Sequence, residues 1–536
     1  MDRNIENKVF FGIVVSLSIL ILAVALRIND SIKIAIVEND YYQYIELGKN
    51  IFRNFDFTVR HQTGELVRPS PLFPALVHLT SLLNKNPILA IKWLNALSLS
   101  LSLIPLFLFA KSAFNEYIGL LASAFFIFFI GISKSLYILS SHVFLALPVV
   151  TVCWLTWKIT TYKTPPNILI ALDGFLISLA TLIQGYAVVY LGIAVLFFLY
   201  FDIASGAFRY TFKKISYLLL GFLPLLIFYT AATSNTAKGN IIYDNNIKAF
   251  LSGNYYAGNM PRDQRFYQLN EDGAEFNILK EARNTSILSY CATYPRFITQ
   301  KYKILFQVML PLLLENNFAR SLGHSYHFFY VALSILLITF AVPGILTPRF
   351  NRGIFYVFIW LSPLFFMPLI LVKWVYLIPF FPFYAILLVT GGYNLYSLLL
   401  RKGYVKIFLL SVYIICILGF ITSDIKFYKN MPSVDEYERA GLWIKNDARG
   451  RDRRITIMSR KTIFSYIADA EFIAIPYEND WDRVEKFARL KNVDYIVLDN
   501  RYYWGLLKQE PNSTDIKIVY QDISPTGNKI TVYKIL

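Results

Sequence analysis

Charge is scarce in this sequence. Only 16% of its 536 residues are Asp, Glu, Lys or Arg, while 56% are hydrophobic and 17% aromatic, and the mean hydropathy is +0.47. An ordinary soluble domain carries about a quarter charged residues, so the composition excludes that class and points to a polytopic membrane protein. Cysteine is scarcer still. Cys153 and Cys416 lie in apolar runs and Cys291 in a polar loop, so no disulfide framework is evident and the compartment is not revealed by cysteine usage. The five histidines, His61, His78, His142, His324 and His327, are dispersed, which argues against a preformed transition-metal site. No nucleotide-phosphate loop, Cys-x-x-Cys pair or His-Glu-x-x-His helix occurs, and Gly391-Gly392 alone carries no signal.

The charge that is present is lopsided, with 52 Lys and Arg against 35 Asp and Glu, a net +17. In a membrane protein the usual source is basic residues collected on cytoplasmic turns, so nucleic acid is not an expected partner. Residues 9–26 form a first apolar run long enough to cross a bilayer, without a convincing small-residue cleavage site after it. Further spans are expected near 88–110, 117–132, 138–157, 168–182, 186–201, 217–232, 328–346, 354–372, 376–400 and 407–421, about eleven in all. With the N-terminus cytoplasmic, the inside turns are 111–116, 158–166, 209–214, 349–352 and 401–406. Each carries Lys or Arg, as the positive-inside rule requires. Residues 37–83, 233–322 and the C-terminal tail then share the outer face.

The loop 233–322 is longer than a connection needs. It holds aromatic anchors such as Tyr255-Tyr256 and Tyr294-Pro295-Arg296-Phe297, a surface helix near 275–290, and an amphipathic approach to the membrane at 297–314. From Pro432 onward the pattern turns polar. Helices are expected over 437–445, 462–468 and 481–490, strands over 454–459, 472–476 and 495–499, and a hairpin over 516–521 and 529–534 joined through Pro525-Thr526-Gly527. The division is therefore a membrane module, 1–430, and a small soluble α/β domain, 431–536, of about a hundred residues, enough to fold alone.

The stretch 37–83 carries the chemistry. Asp40, Tyr44 and Gly48 fall at i, i+4 and i+8, so a carboxylate, a phenol and a gap share one helical face suited to a substrate. Glu38 and Asp40 stand with a ring of candidate cations, Arg60, Arg68, Arg262, Lys301, Lys303 and Lys373. A carboxylate beside cations at a membrane surface fits transfer of a sugar from a lipid phosphate. Such a reaction needs a base for the attacking hydroxyl and positive charge for the departing phosphate. Asp40 is the candidate base. Two plainer readings stay open: Asp40 as the cap of a helix beginning at Tyr41, and Arg68 as a snorkelling interface residue.

Asp40-x-x-x-Tyr44-x-x-x-Gly48, followed by Arg68-Pro69-x-Pro71-Leu72-x-Pro74, resembles the first outer loop of the GT-C glycosyltransferases. The nearest group is the family 39-like set that includes bacterial aminoarabinose and galacturonic acid transferases to lipid A or lipopolysaccharide core and, more distantly, the protein O-mannosyltransferases. Gly174-Phe175-Leu176-Ile177-Ser178-Leu179-Ala180 is similar to a family span, and Tyr376-Leu377-Ile378-Pro379-Phe380-Phe381-Pro382 to a late one. Trp443-Ile444 through Asp494-Tyr495-Ile496-Val497 is similar to the outer domain. Individually these motifs are loose; their order carries the resemblance, which covers most of the chain.

The resemblance implies a GT-C fold with Asp40 as catalytic base and Glu38 as a second carboxylate. It implies a polyprenyl-phosphate sugar as donor, such as an undecaprenyl-phosphate conjugate, and a lipid or cell-envelope glycan as acceptor. Arg68, Lys373, Arg60, Arg262 and Lys303 are the candidate phosphate contacts. Tyr44, His61, His142, Tyr255, Tyr256 and Tyr376 are the candidate lining residues. Three positions depart from the group: His142 where members often carry Glu, Gln184 where many carry Arg, and Val375 where Arg commonly precedes the Tyr-x-x-Pro segment. No cofactor is implied, and a divalent cation held by the two carboxylates is left open. The expectation is an inverting glycosyltransferase, multi-pass in the inner membrane, with its C-terminal domain extracytoplasmic. The other class is a lipid-linked-sugar binding protein or translocase, which would place ionisable residues inside the spans, where the sequence shows few.

Overall fold

The computed structural model describes residues 3–28, 40–60, 66–67, 69–233 apart from 163, 205 and 207, 352–365, 374–399, 424–429, 435–475, 480–500, 506–508 and 511–536 apart from 512, 525 and 526, with isolated helical positions between 289 and 422. The expected spans 328–346 and 407–421, the later part of 354–372 and the loop elements 275–290 and 297–314 lie essentially outside these residues. The chain divides into two units, each of discontinuous sequence. One comprises Met1–Ile32, Ser70–Ile242 and Tyr302–Met431, and the other Lys33–Pro69, Tyr243–Lys301 and Pro432–Leu536.

The first unit is a bundle of α1 (Arg3–Ile28), α3 (Leu72–Asn84), α4 (Pro87–Ala113), α5 (Glu116–Ile130), α6 (Ile132–Tyr137), α7 (Ser141–Thr161), α8 (Asn167–Ile183), α9 (Val189–Ala204), α10 (Phe208–Thr233), α11 (Arg352–Leu361) and α12 (Phe381–Leu399). Among the described residues, six helices are long and apolar enough to cross a membrane, and four shorter ones are apolar. Their limits follow from local chemistry. Asn86 accepts from the amides of Ile88 and Leu89, and Pro87 opens α4, an N-terminal arrangement that satisfies otherwise orphaned donors. Asn115 caps α5, and Ser140 caps α7. Gly131, at φ +79°, ends α5. The carboxylate of Asp424 then accepts from the backbone amide and hydroxyl of Ser133 at the start of α6.

Polar side chains tie the helices together. The hydroxyl of Ser18 on α1 donates to Ser100 O at 2.6 Å. From α4, Asn95 Nδ2 donates to Ile138 O at 3.0 Å and Ser98 Oγ to Phe144 O at 2.8 Å. On the far side, Tyr356 of α11 donates to Cys153 O at 2.7 Å within an aromatic layer of Phe109, Trp157, Phe197 and Tyr356. Ionisable residues also enter the bundle. Asp173 of α8 is fully buried and accepts from Thr156 Oγ1 at 2.8 Å; Lys92 of α4 is buried as well. At the α9–α10 turn, Lys214 pairs with Asp202 at 2.6 Å.

The contact between α8 and α10 is a backbone contact. A Cβ on Gly174 would collide with the carbonyl oxygen of Leu218, and one on Gly221 with the carbonyl oxygen of Ala171. Two glycines thus let each helix approach the other's main chain, the small-residue solution to helix packing in an apolar medium.

In the second unit, five strands order as β4-β3-β5-β7-β6: β3 (Thr456–Ser459), β4 (Glu471–Ala474), β5 (Tyr495–Asp499), β6 (Ile516–Ile523) and β7 (Lys529–Ile535). β3 runs parallel to β4 and β5, while β7 is antiparallel to β5 and β6. Three helices cover the sheet, α13 (Asp435–Asp447), α14 (Ile463–Ala468) and α15 (Trp481–Leu490). Strand alternation sends Ile457, Tyr495, Val497 and Val532 to one face, with Tyr437 and Phe464. Met458, Ile496, Leu498 and Tyr533 go to the other, with Trp481 and Phe487. Both faces are covered, as a partly parallel sheet demands.

Asp494, 5% exposed, locks the entry to this sheet. It accepts from Arg451 at 2.7 Å, from Arg453 at 2.7 and 3.1 Å, and from the amide of Thr456 at 2.8 Å. The same unit holds α2 (Asp40–Asn54) and the two-residue pair β1 (Val59–Arg60) and β2 (Leu66–Val67). The small C-terminal α/β fold expected from the sequence is present, shifted at its edges by one or two residues.

Two outcomes test this architecture. Gly174→Leu or Gly221→Leu forces a side chain into the facing main chain and lowers the unfolding midpoint of the detergent-solubilised chain by several degrees. Gly192→Ala, in open space on α9, leaves it unchanged or raises it. Asp494→Ala removes the acceptor shared by two partly exposed arginines and leaves the buried Thr456 amide unpaired, destabilising the second unit by about 1–3 kcal/mol, read as earlier proteolysis within 435–536.

Candidate functional site

The candidate base opens α2, whose first helical residue is Asp40. The tyrosines that follow anchor the helix inside its unit. Tyr41 and Tyr42 meet Tyr466 of α14 edge-to-face, at ring separations of 6.4 and 6.2 Å, a favourable aromatic geometry. Tyr44, Leu47 and Gly48 are buried too. On the other side, Glu46 pairs with Lys49 at 3.1 Å.

The exit from α2 is defined by short polar contacts. Phe55 takes a left-handed φ of 53°. Asp56 Oδ1 then accepts from the amide and hydroxyl of Thr58 at 2.9 and 2.7 Å, and Asn50 Nδ2 donates to Thr58 O at 2.9 Å. This turn delivers Val59 into a small apolar cluster with Leu47 and Ile51 and starts the β1–β2 pairing, where Arg60 faces Leu66.

Burial governs the tyrosine cluster. It pushes the phenol of Tyr41 far up, helped by Tyr466 and Tyr42. It does the same for Tyr42, with the Glu46 carboxylate adding and Arg454 opposing. Tyr466 is raised to about 12 by burial and by Glu46. All three are neutral hydrogen-bond donors at ordinary pH.

In the first unit, two of the departing positions come together. His142, buried near the start of α7, stacks on Tyr186 with ring centroids 5.8 Å apart and interplanar angle 20°, its Nδ1 3.1 Å from the Tyr186 hydroxyl. Gln184, just past α8, donates to Ser141 Oγ, on the neighbour of His142. Tyr376 lies in a short 3-10 helix, Trp374–Phe380. For Asp40, Arg60 and Tyr376 the description stops at the backbone. Glu38, His61, Arg68, Tyr255, Tyr256, Arg262, Lys301, Lys303 and Lys373 lie outside the described residues. Among the described residues, no three His, Cys, Asp or Glu side chains converge to hold a metal ion.

Sequence reasoning passed over Tyr42, Glu46 and Asn50, which share the i, i+4, i+8 spacing of the chosen face but lie almost opposite it around α2. The same periodicity would have found them. It also passed over Asp173, a carboxyl inside an apolar span and visible as such.

No family model matches the sequence, and no curated protein matches it. Solved structures do share its fold. ArnT from Cupriavidus metallidurans, bound to undecaprenyl phosphate, superposes with a TM-score of 0.58 at 11% identity, over 97% of this chain and 97% of that one. The oligosaccharyltransferase of Archaeoglobus fulgidus, in a complex with Zn and sulfate, gives 0.57 at 13% identity, over 95% of this chain and 72% of that one. The archaeal oligosaccharyltransferase AglB from Archaeoglobus fulgidus, in complex with an inhibitory peptide and a dolichol-phosphate, gives 0.55 at 13% identity, over 96% of this chain and 74% of that one. The chain shares the GT-C fold of these structures, a bundle of apolar helices with a small C-terminal sheet domain.

The raised phenols set an alkaline limit. Their neutral forms are favoured in the fold, so the stability they contribute is fully present below about pH 10, the ordinary tyrosine value, and is lost as pH climbs towards the folded value, about 12 for Tyr466. Unfolding of the second unit, followed by intrinsic fluorescence, becomes progressively easier across that window. Tyr466→Phe makes the loss shallower.

Proposed function

We propose that this chain is an integral membrane glycosyltransferase that moves a sugar from a polyprenyl-phosphate donor to a lipid or cell-envelope glycan acceptor. The reaction is set at the outer face of the cytoplasmic membrane, with the N-terminus inside and residues 431–536 outside. The observation that carries the reading is the likeness to ArnT, which runs over 97% of both chains. The undecaprenyl phosphate of that structure and the dolichol-phosphate of the archaeal one make polyprenyl phosphates the donor class to test.

In this reading Asp40, with Glu38 beside it in sequence, takes the proton of an acceptor hydroxyl. The freed oxygen attacks the anomeric carbon with inversion, the carbon–phosphate oxygen bond breaks, and polyprenyl phosphate leaves. Arg68, Lys373, Arg60, Arg262 and Lys303 are assigned to the phosphate charge, the lysines as point charges rather than bidentate forks. Tyr44, His61, His142, Tyr255, Tyr256 and Tyr376 are assigned to the substrate lining. A divalent cation on Glu38 and Asp40 is the other way to offset the phosphate; a chelator arm in the assay decides between them.

A second reading, a translocase or binding protein for lipid-linked sugars, draws on Asp173 and Lys92, ionisable residues buried in apolar helices of the sort transporters use. The discriminating experiment offers purified chain a panel of radiolabelled polyprenyl-phosphate sugars with membrane glycan extract. Transfer is expected, and Asp40→Asn lowers it about a hundredfold or more. Normal turnover by that variant removes Asp40 as the base. Movement of donor across vesicles without transfer favours the second reading.

A further inference from the structure

On the side of α2 opposite Tyr44 lies a cavity of about 220 Å³, formed entirely within the second unit. Helix α2 supplies Tyr42, Glu46 and Asn50 at successive turns. The turn after it adds Asp56 and Thr58, and the β3–β4 side of the sheet adds Arg454, Glu471 and Phe472. It is smaller than the roughly 300–1,000 Å³ of sites for drug-sized ligands, so it admits a group the size of one ring.

Its chemistry is one-sided. Tyr42 is only 7% exposed, lines the cavity, and its phenol makes no hydrogen bond to any described residue. The phenol stays a neutral donor because burial and the Glu46 carboxylate raise its pKa. Acceptors dominate the rest of the lining. Three carboxylates, Glu46, Asp56 and Glu471, face one guanidinium, Arg454. Arg454 is itself drawn towards Asp469, 3.6 Å away, and towards the carbonyls of Asp469 and Ala470. Asp56 keeps Oδ2 beyond the bonds its Oδ1 makes to Thr58, and Asn50 keeps its amide oxygen after donating to Thr58 O. Val59, Phe472 and the Tyr42 ring give an apolar floor. A partner for this lining is rich in O–H or N–H donors, carries no negative charge, and presents a flat C–H face.

We infer that the cavity formed by α2 and the β3–β4 edge of the second unit is a binding site for a single non-anionic sugar ring, preferentially one bearing a protonated amino group. The choice of a sugar among donor-rich ligands rests on the glycosyltransferase reading; the cavity and its charge do not. Glu471 and Glu46 receive the ammonium or hydroxyl protons, the Tyr42 phenol donates to a ring or hydroxyl oxygen, and Phe472 meets the C–H face. The three carboxylates turn away uronic acids and phosphates.

The test is direct binding to the full chain in detergent micelles by saturation-transfer NMR, using methyl glucosaminide, methyl glucoside and methyl glucuronide. The glucosaminide is expected to bind best, the glucoside more weakly, and the glucuronide not at all. Glu471→Gln, at an exposed position, and Tyr42→Phe, which deletes one hydroxyl, each weaken glucosaminide binding about tenfold, the worth of one charge-assisted or buried hydrogen bond. Absence of glycoside binding, equal binding of the glucuronide, or wild-type affinity in both variants overturns the site. A chain that transfers sugar without binding these glycosides retains the catalytic reading and loses this one; a chain that binds them without transferring does the reverse.

Discussion

An apolar helical bundle obliges a hydrogen-bonding side chain to find a carbonyl or hydroxyl, one turn back on its own helix, as Ser100, Ser102 and Thr181 do, or on another segment, and the first unit is arranged around that demand. Ser18, Asn95, Ser98 and Tyr356 each cross from their own helix to a neighbour's main chain. The price of leaving such a group unpaired away from water is several kcal/mol in hydrocarbon. These bonds therefore fix which helices are neighbours, while the apolar side chains fill the space between. Gly174 and Gly221 belong to the same logic, since main chains come this close only where no Cβ intervenes.

The second unit meets a different constraint with a charged residue. Asp494 gathers two arginines and a strand amide, placing a carboxylate where β3 and β5 begin. A buried carboxylate is tolerable only with such a full set of partners. Given it, the parallel core strands are held at their start and the hydrophobic faces of β5 fall to opposite helical layers. The aromatic edge of that fold, Tyr466, is what α2 leans on through Tyr41 and Tyr42.

Much of this was legible in the sequence where the signal is local. Apolar length located the long helices among the described residues. The structure extends the expected 88–110 helix to Pro87–Ala113 because Asn86 and Pro87 make an N-terminus, and it starts the expected 138–157 helix at Ser141 because Ser140 caps there. Residues 133–137, left between the expected spans 117–132 and 138–157, belong to a helix of their own, Ile132–Tyr137, held by Asp424; that contact crosses 291 residues, and no periodicity carries it. The strands and helices after Pro432 fell within one or two residues of expectation, since alternation and caps act over a few positions. What was not legible is which face of α2 meets Arg454 and Glu471. Both faces have the same period, and only the packing of distant segments separates them. Asp173 shows a further limit: the sequence displays a carboxyl within a span, and its Thr156 partner emerges only when α7 and α8 pack.

The second unit also has a consequence for how the protein is made. Helix α2 leaves the ribosome early, yet its seat on Tyr466 is synthesised roughly four hundred residues later, a contact of very high sequence separation. Throughout the insertion of the intervening spans, Tyr41 and Tyr42 wait without the surface they will occupy. A nascent chain stopped anywhere before α14 therefore carries an aromatic helix in search of a partner, which marks it for chaperones and proteases as unfinished. Completion of the second unit is in this sense a record that the intervening helices have been translated.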